Sequence, residues 1–340
     1  MKIAFVVCWF GRLPDYFDVW EKTCEYNRDY TYLLITDDKV NRKMSENVIY
    51  IPFSRELFKK RVNERIVPNA SIKKPYRLCD FRPMYGVIFK EELQEYDFWG
   101  YCDIDLIFGN INSFLKTEDF INYEAIFNGG HFTLIRNSNE MNELYKKEGA
   151  LFDYRTVATK EAIYAFDETT GIQKIARVNK INAKFGVPYI ETESKYWQLR
   201  SRMDRMNPKN QAYFWEKGHL YRNTIIENEV YYQEIAYIHL QKRKLKLLDS
   251  DVADSQAFWI MPDGFRSKEY MGEPRKSDVY NTNPDMGESA RKKEEKRYRK
   301  NKAIIILKRS PYQIYVRIRQ QLAGINAGDG RGNELPWKKY

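Results

Sequence analysis

The chain has 340 residues, 43% of them apolar and 31% charged, which is typical of a globular protein with a substantial core. Its 57 Lys/Arg outnumber its 47 Asp/Glu, but residues 291–319 alone hold twelve of the bases and two of the acids, so the positive excess is confined to the tail. A neutral body without a recognisable nucleic-acid module argues against nucleic-acid binding. No apolar run approaches the roughly 18 residues of a spanning helix, so no integral membrane protein is expected.

The first third of the chain alternates apolar strands with helices. KIAFVVCWF, YTYLLIT, VIYIPF and YDFWGYCDIDLIFG, the last with its C-terminal loop, predict strands. FDVWEKTCEYN and a segment starting near Ser54 predict helices, and PYRLCDFRPMYGVIFKEEL predicts a helix under the sheet. Continuous apolar strands separated by helices indicate a parallel sheet covered on both faces. The expected class is therefore α/β.

Less regular elements follow. AIFNGGHFTLIRN predicts a strand with a glycine break, SNEMNELYKKEG a helix, AFDETTGIQKIARVNKINAKFG a loop and a helix, and Val230–Lys244 a strand. The polar stretch 267–290 predicts a linker. The four cysteines are widely spaced and form no CxxC pair, which predicts free thiols in a reducing cytoplasm, and the N-terminus predicts a strand and no signal peptide.

The tail, 291–340, combines basic and apolar residues. Ile314, Ile318 and Leu322 recur every four residues with Arg317 and Arg319 between them, which predicts a basic amphipathic helix after Pro311. Such a helix suits an anionic membrane surface, here through 291–322. The alternative is a solvated tail whose helix docks on the body.

Two acids, Asp103 and Asp105, interrupt the apolar run WGYCDIDLIFGNI. If the strand continued through them, they would share one face. Two close carboxylates in apolar surroundings repel each other and need a cation, for which Mn²⁺ or Mg²⁺ is suited. A surface turn with two solvated acids is the competing interpretation, but the apolar flanks favour a buried strand end.

Six motifs in one order, CWFGRLPDYF, LLITDD, KPYRLCDFRPMYG, FWGYCDIDLIFGNI, GGHFTLIRN and YIHLQKRK, carry a resemblance over about residues 1–250. Together they resemble the GT-A-fold nucleotide-sugar glycosyltransferases with a DxD motif, in particular a bacterial capsular and exopolysaccharide subset. The resemblance implies a GT-A (Rossmann-like) mixed, mainly parallel sheet flanked by helices. Residues 1–266 would then be the catalytic domain, with a nucleotide-binding half to about 110 and an acceptor half over 111–266.

The resemblance also implies site residues. Asp103, Asp105 and His239 would hold the divalent cation that bridges the diphosphate of a UDP-sugar. A core histidine bonded to a backbone carbonyl is the alternative for His239. The donor nucleotide would be bound by Trp9, Phe10, Gly11, Thr36, Asp37, Asp80, Arg82, Asp103 and Lys242. A turn explains Asp37 equally well, and a helical salt bridge explains Asp80 and Arg82.

On the acceptor side, the Gly129–Gly130 pair permits close approach to the backbone. Asp167 and Glu168 would supply the general base in an inverting transfer, or only a helix N-cap. The expected function is a metal-dependent hexosyltransferase acting on a lipid-linked surface saccharide, cytoplasmic and peripheral at the inner face of the plasma membrane. The alternatives are a Mg²⁺-dependent nucleotidyl or phosphoryl transferase and a non-catalytic member of a polysaccharide assembly complex.

Overall fold

A computed structural model describes residues 1–202, 208–241, 243–323 and 335–340. The strands, in chain order, are β1 (Ile3–Trp9), β2 (Tyr30–Thr36), β3 (Val48–Pro52), β4 (Phe98–Cys102), β5 (Leu106–Phe108), β6 (Ala125–Asn128), β7 (Phe132–Arg136), β8 (Ala183–Phe185), β9 (Tyr189–Glu191), β10 (Gln211–Glu216), β11 (His219–Ile226), β12 (Glu229–Glu234), β13 (Tyr237–His239), β14 (Lys246–Leu247), β15 (Ala257–Met261), β16 (Gly264–Ser267) and β17 (Lys338–Lys339). The α-helices are α1 (Phe17–Glu25), α2 (Arg55–Arg65), α3 (Tyr85–Ile88), α4 (Thr117–Asn122), α5 (Asn139–Asn142), α6 (Tyr154–Thr159), α7 (Ile172–Val178), α8 (Lys276–Asn281), α9 (Gly287–Leu307) and α10 (Pro311–Leu322). Short 3₁₀ helices cover Pro75–Met84, Ile111–Ser113 and Leu144–Lys146.

The first sheet has the strand order β3-β2-β1-β4-β7-β6-β8, and only β7 runs antiparallel to its neighbours. Alternate side chains of β1 enter two different cores: Phe5 belongs to the core that contains Trp20 of α1, whereas Val6 belongs to the core that contains Phe58 of α2. Both faces of the strand are buried, which explains its unbroken apolar sequence. The expected α/β class, with a mixed, mainly parallel sheet flanked by helices, is confirmed.

A second sheet, in the order β14-β16-β15-β10-β11-β12-β17, is antiparallel except for the β14–β16 pair. A third sheet has the order β5-β13-β9. The segment Val230–Lys244, predicted as one strand, contributes β12 to the second sheet and β13 to the third. The chain therefore changes sheets between Glu234 and Tyr237.

Two local predictions near the first sheet differ from the structure. The predicted helix after Lys74 is a 3₁₀ helix through Met84, where Pro83 lacks the N–H that an α-helical ladder needs. The strand in WGYCDIDLIF does not continue through both acids: β4 ends at Cys102, and β5 begins at Leu106. Asp103 and Asp105 thus lie in the turn that connects two sheets.

The predicted linker, 267–290, contains α8 and packs against the second sheet. Val279 is buried, and the side-chain amide of Asn283 donates to the backbone oxygens of Leu199 and Gln211. The helix predicted after Pro311 is confirmed as α10, and all four cysteines are free. Among the described residues, no helix combines the length and hydrophobicity that crossing a membrane requires.

Candidate metal and nucleotide site

The candidate site lies where strands of the first and third sheets end. Trp9 and Thr36 are partners at the carboxyl ends of parallel β1 and β2, and β4, parallel to β1, ends one residue before Asp103. Carboxyl ends of parallel strands are the edge where open α/β sheets bind ligands. The turn with the two acids therefore projects from the ligand-binding edge of the sheet.

The pairing of the third sheet brings a histidine to this turn. In the antiparallel β5–β13 pair, His239 is the partner of Leu106, the residue after Asp105. The imidazole Nε2 of His239 lies 3.3 Å from Oδ1 of Asp105 and 3.7 Å from Oδ2 of Asp103. The three residues predicted to bind metal are therefore brought together, although 134 positions of sequence separate Asp105 from His239.

The second ring nitrogen of His239, Nδ1, contacts a glutamate that was not predicted. Glu191 is the partner of His239 in the parallel β9–β13 pair, and its Oε2 lies 2.8 Å from Nδ1 of His239 and 3.4 Å from Nε2 of His131. Burial opposes protonation of His239, but the carboxylates of Asp105 and Glu191 outweigh it and raise its pKa well above the usual range. Burial likewise opposes ionisation of Glu191, yet His239 and His131 hold its pKa below the usual range.

The arrangement of Asp103, Asp105 and His239 fits one divalent ion. Ligand atoms that are neighbours on an octahedral ion with bonds of about 2.1 Å lie about 3 Å apart. The 3.3 Å separation of Nε2 from Asp105 is close to this value, and the 3.7 Å separation from Asp103 is about 0.7 Å longer. With Nδ1 hydrogen-bonded to Glu191, Nε2 is the ligand atom, and a bound ion would take the place of its proton, as in the carboxylate–histidine pairs of many metal sites. His131, Glu191 and His239 form a second group of possible ligands. Both groups use His239, but only the first lies in the turn at the sheet edge.

Arg82 connects the acidic turn to the predicted base. Its guanidinium forms an ion pair with Oδ1 of Asp103 and donates from Nη1 to the Gly130 carbonyl at 2.6 Å and to Oδ2 of Asp167 at 3.1 Å. The salt bridges of Arg82 are thus with segments far apart in the chain, whereas Asp80 does pair within its own helix, with Arg77. Arg82 fixes the orientation of Asp103 and leaves its Oδ2 facing His239.

Asp167 and Glu168 pack closely against the glycine pair. A Cβ at Gly130 would lie 2.6 Å from Cγ of Glu168, so glycine is required by this contact. Burial raises the pKa of both carboxyls, opposed at Asp167 by Arg82 and reinforced at Glu168 by Glu191. Asp167 is buried, and in the described part of the chain its Oδ1 has no hydrogen-bond partner, whereas Glu168 is only half-buried. Neither residue caps α7, whose N-cap is Gly171.

The predicted nucleoside loop lies at the same edge, but part of its hydrogen-bonding capacity is already used. The exposed Asp37 accepts a hydrogen bond from the Gly11 N–H at 2.6 Å, which orders the loop after β1 as the turn interpretation expected. Phe10 is buried against Phe58, and the Trp9 indole donates to the Arg12 carbonyl. Thr36 is also buried, and its hydroxyl accepts from the N–H of Asp38.

One predicted donor-site residue, Asp80, does not join this cluster. Asp80 is fully buried; it pairs with Arg77 and accepts hydrogen bonds at 3.1 Å from the backbone N–H groups of Tyr164 and Phe166. It therefore supports the segment that carries Asp167 and does not line the edge. Lys242 lies outside the described residues.

Replacing Glu191 by glutamine tests whether this residue orients His239. The amide keeps the size of the side chain but removes the charge that fixes the Nδ1–H tautomer, so we expect the affinity for Mn²⁺ at neutral pH to fall roughly 10- to 100-fold. Titration calorimetry with Mn²⁺ measures the change, and Glu193→Gln, two residues along the chain, is the matched control. An unchanged affinity would refute the orienting role, and a loss as complete as that of Asp105→Ala would make Glu191 itself a ligand.

The residues of this site lie in the part of the chain that matches a protein family. The model of a family of unknown function, DUF6625, matches residues 5–269. No curated protein matches the chain. The matched region spans all three sheets up to β16 and includes Asp103, Glu191 and His239, but it ends before α8. Since the match covers well over half of the sequence, the chain belongs to the family of unknown function DUF6625.

Proposed function

We propose that the protein is a metal-dependent glycosyltransferase. It would transfer a hexose from a UDP-sugar to a hydroxyl of a bacterial surface saccharide, of the capsule or exopolysaccharide type, carried on a lipid. The observation that supports this most strongly is the convergence of Asp103, Asp105 and His239 at the ligand-binding edge of a mainly parallel sheet.

In this proposal Asp103, Asp105 and His239 hold Mn²⁺ or Mg²⁺. When bound, such an ion supplies positive charge to the diphosphate of the departing UDP. Arg82 keeps Asp103 oriented through their ion pair. The ordered loop from Trp9 to Gly11 lies at the same sheet edge, one strand away, where it is suited to contact the nucleoside.

Glu168 is the better of the two candidates for the general base. It is half-buried, whereas Asp167 is buried and pairs with Arg82. The raised pKa of Glu168, caused by burial and by Glu191, makes its carboxylate a stronger base. In an inverting transfer, Glu168 takes the proton of the acceptor hydroxyl, the oxygen bonds to the anomeric carbon, and UDP leaves with the electrons of the broken bond.

A screen of UDP-sugars for Mn²⁺-dependent consumption tests the proposal. We expect slow release of UDP from at least one UDP-hexose, stimulated by Mn²⁺ and abolished by EDTA. Matched incubations contain nucleoside triphosphates and Mg²⁺. Release of pyrophosphate there, with every UDP-sugar intact, would contradict glycosyl transfer in favour of a nucleotidyl transferase.

A further inference from the structure

Helix α10 has one face on the body and the opposite face in solvent. Val316 is buried, the Tyr312 hydroxyl lies 3.0 Å from that of Tyr164, and the Gln320 amide donates to the Ile163 carbonyl at 3.3 Å. These three docked positions recur every four residues and therefore define one helix face. The predicted apolar stripe lies elsewhere on the helix.

The stripe is exposed along its whole length. Ile314 is 42%, Ile318 49% and Leu322 80% exposed. At about 100° per residue, Arg317 and Arg319 lie on opposite sides of this stripe. The predicted alternatives, docking on the body and an outward amphipathic face, are therefore both present in one helix, on different faces.

The end of α9 adds a second apolar segment next to this one in the chain. Four consecutive residues, Ile304–Leu307, are exposed, and Leu307 is 84% exposed. None of the residues of α9 is buried. The apolar segment is flanked by Lys302 on one side and Lys308 on the other, and a three-residue connection leads to α10. Two apolar segments with basic flanks are thus left uncovered on the described part of the tail.

We infer that these two exposed apolar segments, Ile304–Leu307 and the stripe of Ile314, Ile318 and Leu322, dock on an anionic lipid bilayer. Isoleucine and leucine side chains would enter the interfacial region while the flanking arginines and lysines contact lipid phosphates. Charge complementarity selects this partner: residues 291–319 hold twelve bases and two acids, so a second copy of the chain would bring two strongly basic tails together. The docked face of α10 holds the body against the bilayer.

Co-sedimentation of the full chain with vesicles tests this inference, without nucleotide or metal, so that its outcome is separate from that of the proposed function. We expect binding to phosphatidylcholine vesicles that contain phosphatidylglycerol, little binding to pure phosphatidylcholine, and release by high salt. Arg317→Gln/Arg319→Gln should weaken binding about 25-fold, or about fivefold per arginine. Ile314→Gln/Ile318→Gln should weaken it at least about tenfold.

In the matched controls, two basic or two isoleucine residues that are exposed on the body are replaced by glutamine. Lys59→Gln/Lys60→Gln on α2 and Ile49→Gln/Ile121→Gln should bind as the wild type does. Circular dichroism confirms that each variant is folded. Equal vesicle binding by tail and control variants would overturn the inference. So would an absence of binding combined with a dimer in sedimentation velocity that the tail variants dissociate, which would identify a second copy as the partner.

Discussion

Replacing Asp105 by alanine is expected to abolish the metal dependence of UDP binding. The substitution removes the carboxylate that lies nearest to Nε2 of His239, and the remaining pair, Asp103 and His239, offers one ligand fewer to the ion. Loss of a residue that only orients a ligand costs about 10- to 100-fold in metal affinity, so loss of a ligand itself should cost at least about 100-fold. Calorimetric titration with UDP, in the presence and absence of Mn²⁺, measures the effect.

The controls separate ligand loss from a damaged fold. Asp97→Ala changes the exposed aspartate immediately before β4, at the opposite end of the strand that leads to Asp103, and should leave metal-dependent binding unchanged. Asp105→Asn keeps the side-chain volume and one oxygen and should give an intermediate affinity. Urea unfolding of Asp105→Ala should show no large loss of stability, because relief of the repulsion between two carboxylates offsets the lost contact with His239. UDP binding that still responds to Mn²⁺ in Asp105→Ala would contradict the assignment.

Among the substitutions proposed in this protein, replacing Asp80 by alanine should cause the largest loss in the free energy of unfolding. Asp80 and Arg77 are both buried and pair with each other, and Arg77 also donates to the backbone carbonyls of Val157 and Ala162. Removing one partner of a buried ion pair leaves an uncompensated charge and typically costs about 3–5 kcal/mol. Two backbone N–H groups, those of Tyr164 and Phe166, would also lose their acceptor.

Denaturant unfolding of Asp80→Ala measures this free energy. Asp80→Asn is the matched variant, because its amide oxygen still accepts from the backbone N–H groups, and it should lose less stability. The free energy of unfolding should therefore fall in the order wild type, Asp80→Asn, Asp80→Ala. A loss below about 1 kcal/mol in Asp80→Ala would show that Arg77 finds other partners and that the pair is not a main support of the Tyr164–Asp167 segment.

The parts of the fold that were predictable from sequence are those with strong local patterns. Strands β1 and β2 are long apolar runs, and α2 begins after Ser54, whose hydroxyl accepts from the N–H of Leu57. Most of the second sheet was missed because only two residues separate β10 from β11 and β11 from β12, and because β10 also pairs with β15, some forty residues further along the chain. Val230–Lys244 was misjudged because a two-residue break between strands leaves no signal in hydrophobicity.

The site was predictable where its residues carry unusual chemistry. Asp103 and Asp105 stand out as charges within an apolar run. His239 stands out because the chain has only three histidines and this one lies on a predicted strand. Glu191 was missed because one glutamate among many has no local signature; only the register of β9 against β13 brings it to His239. Asp80 was expected at the edge together with Arg82, but residues two positions apart on a 3₁₀ helix point to different sides. Asp80 pairs with Arg77, whereas Arg82 pairs with Asp103.

Anomalous X-ray diffraction at the manganese edge, from crystals grown with UDP and Mn²⁺, tests the metal assignment most directly. We expect one anomalous peak between the carboxylates of Asp103 and Asp105 and Nε2 of His239, in contact with the diphosphate of UDP. A peak between His131, Glu191 and Nδ1 of His239, or a bound diphosphate with no manganese beside it, would contradict the proposed role of the DxD turn.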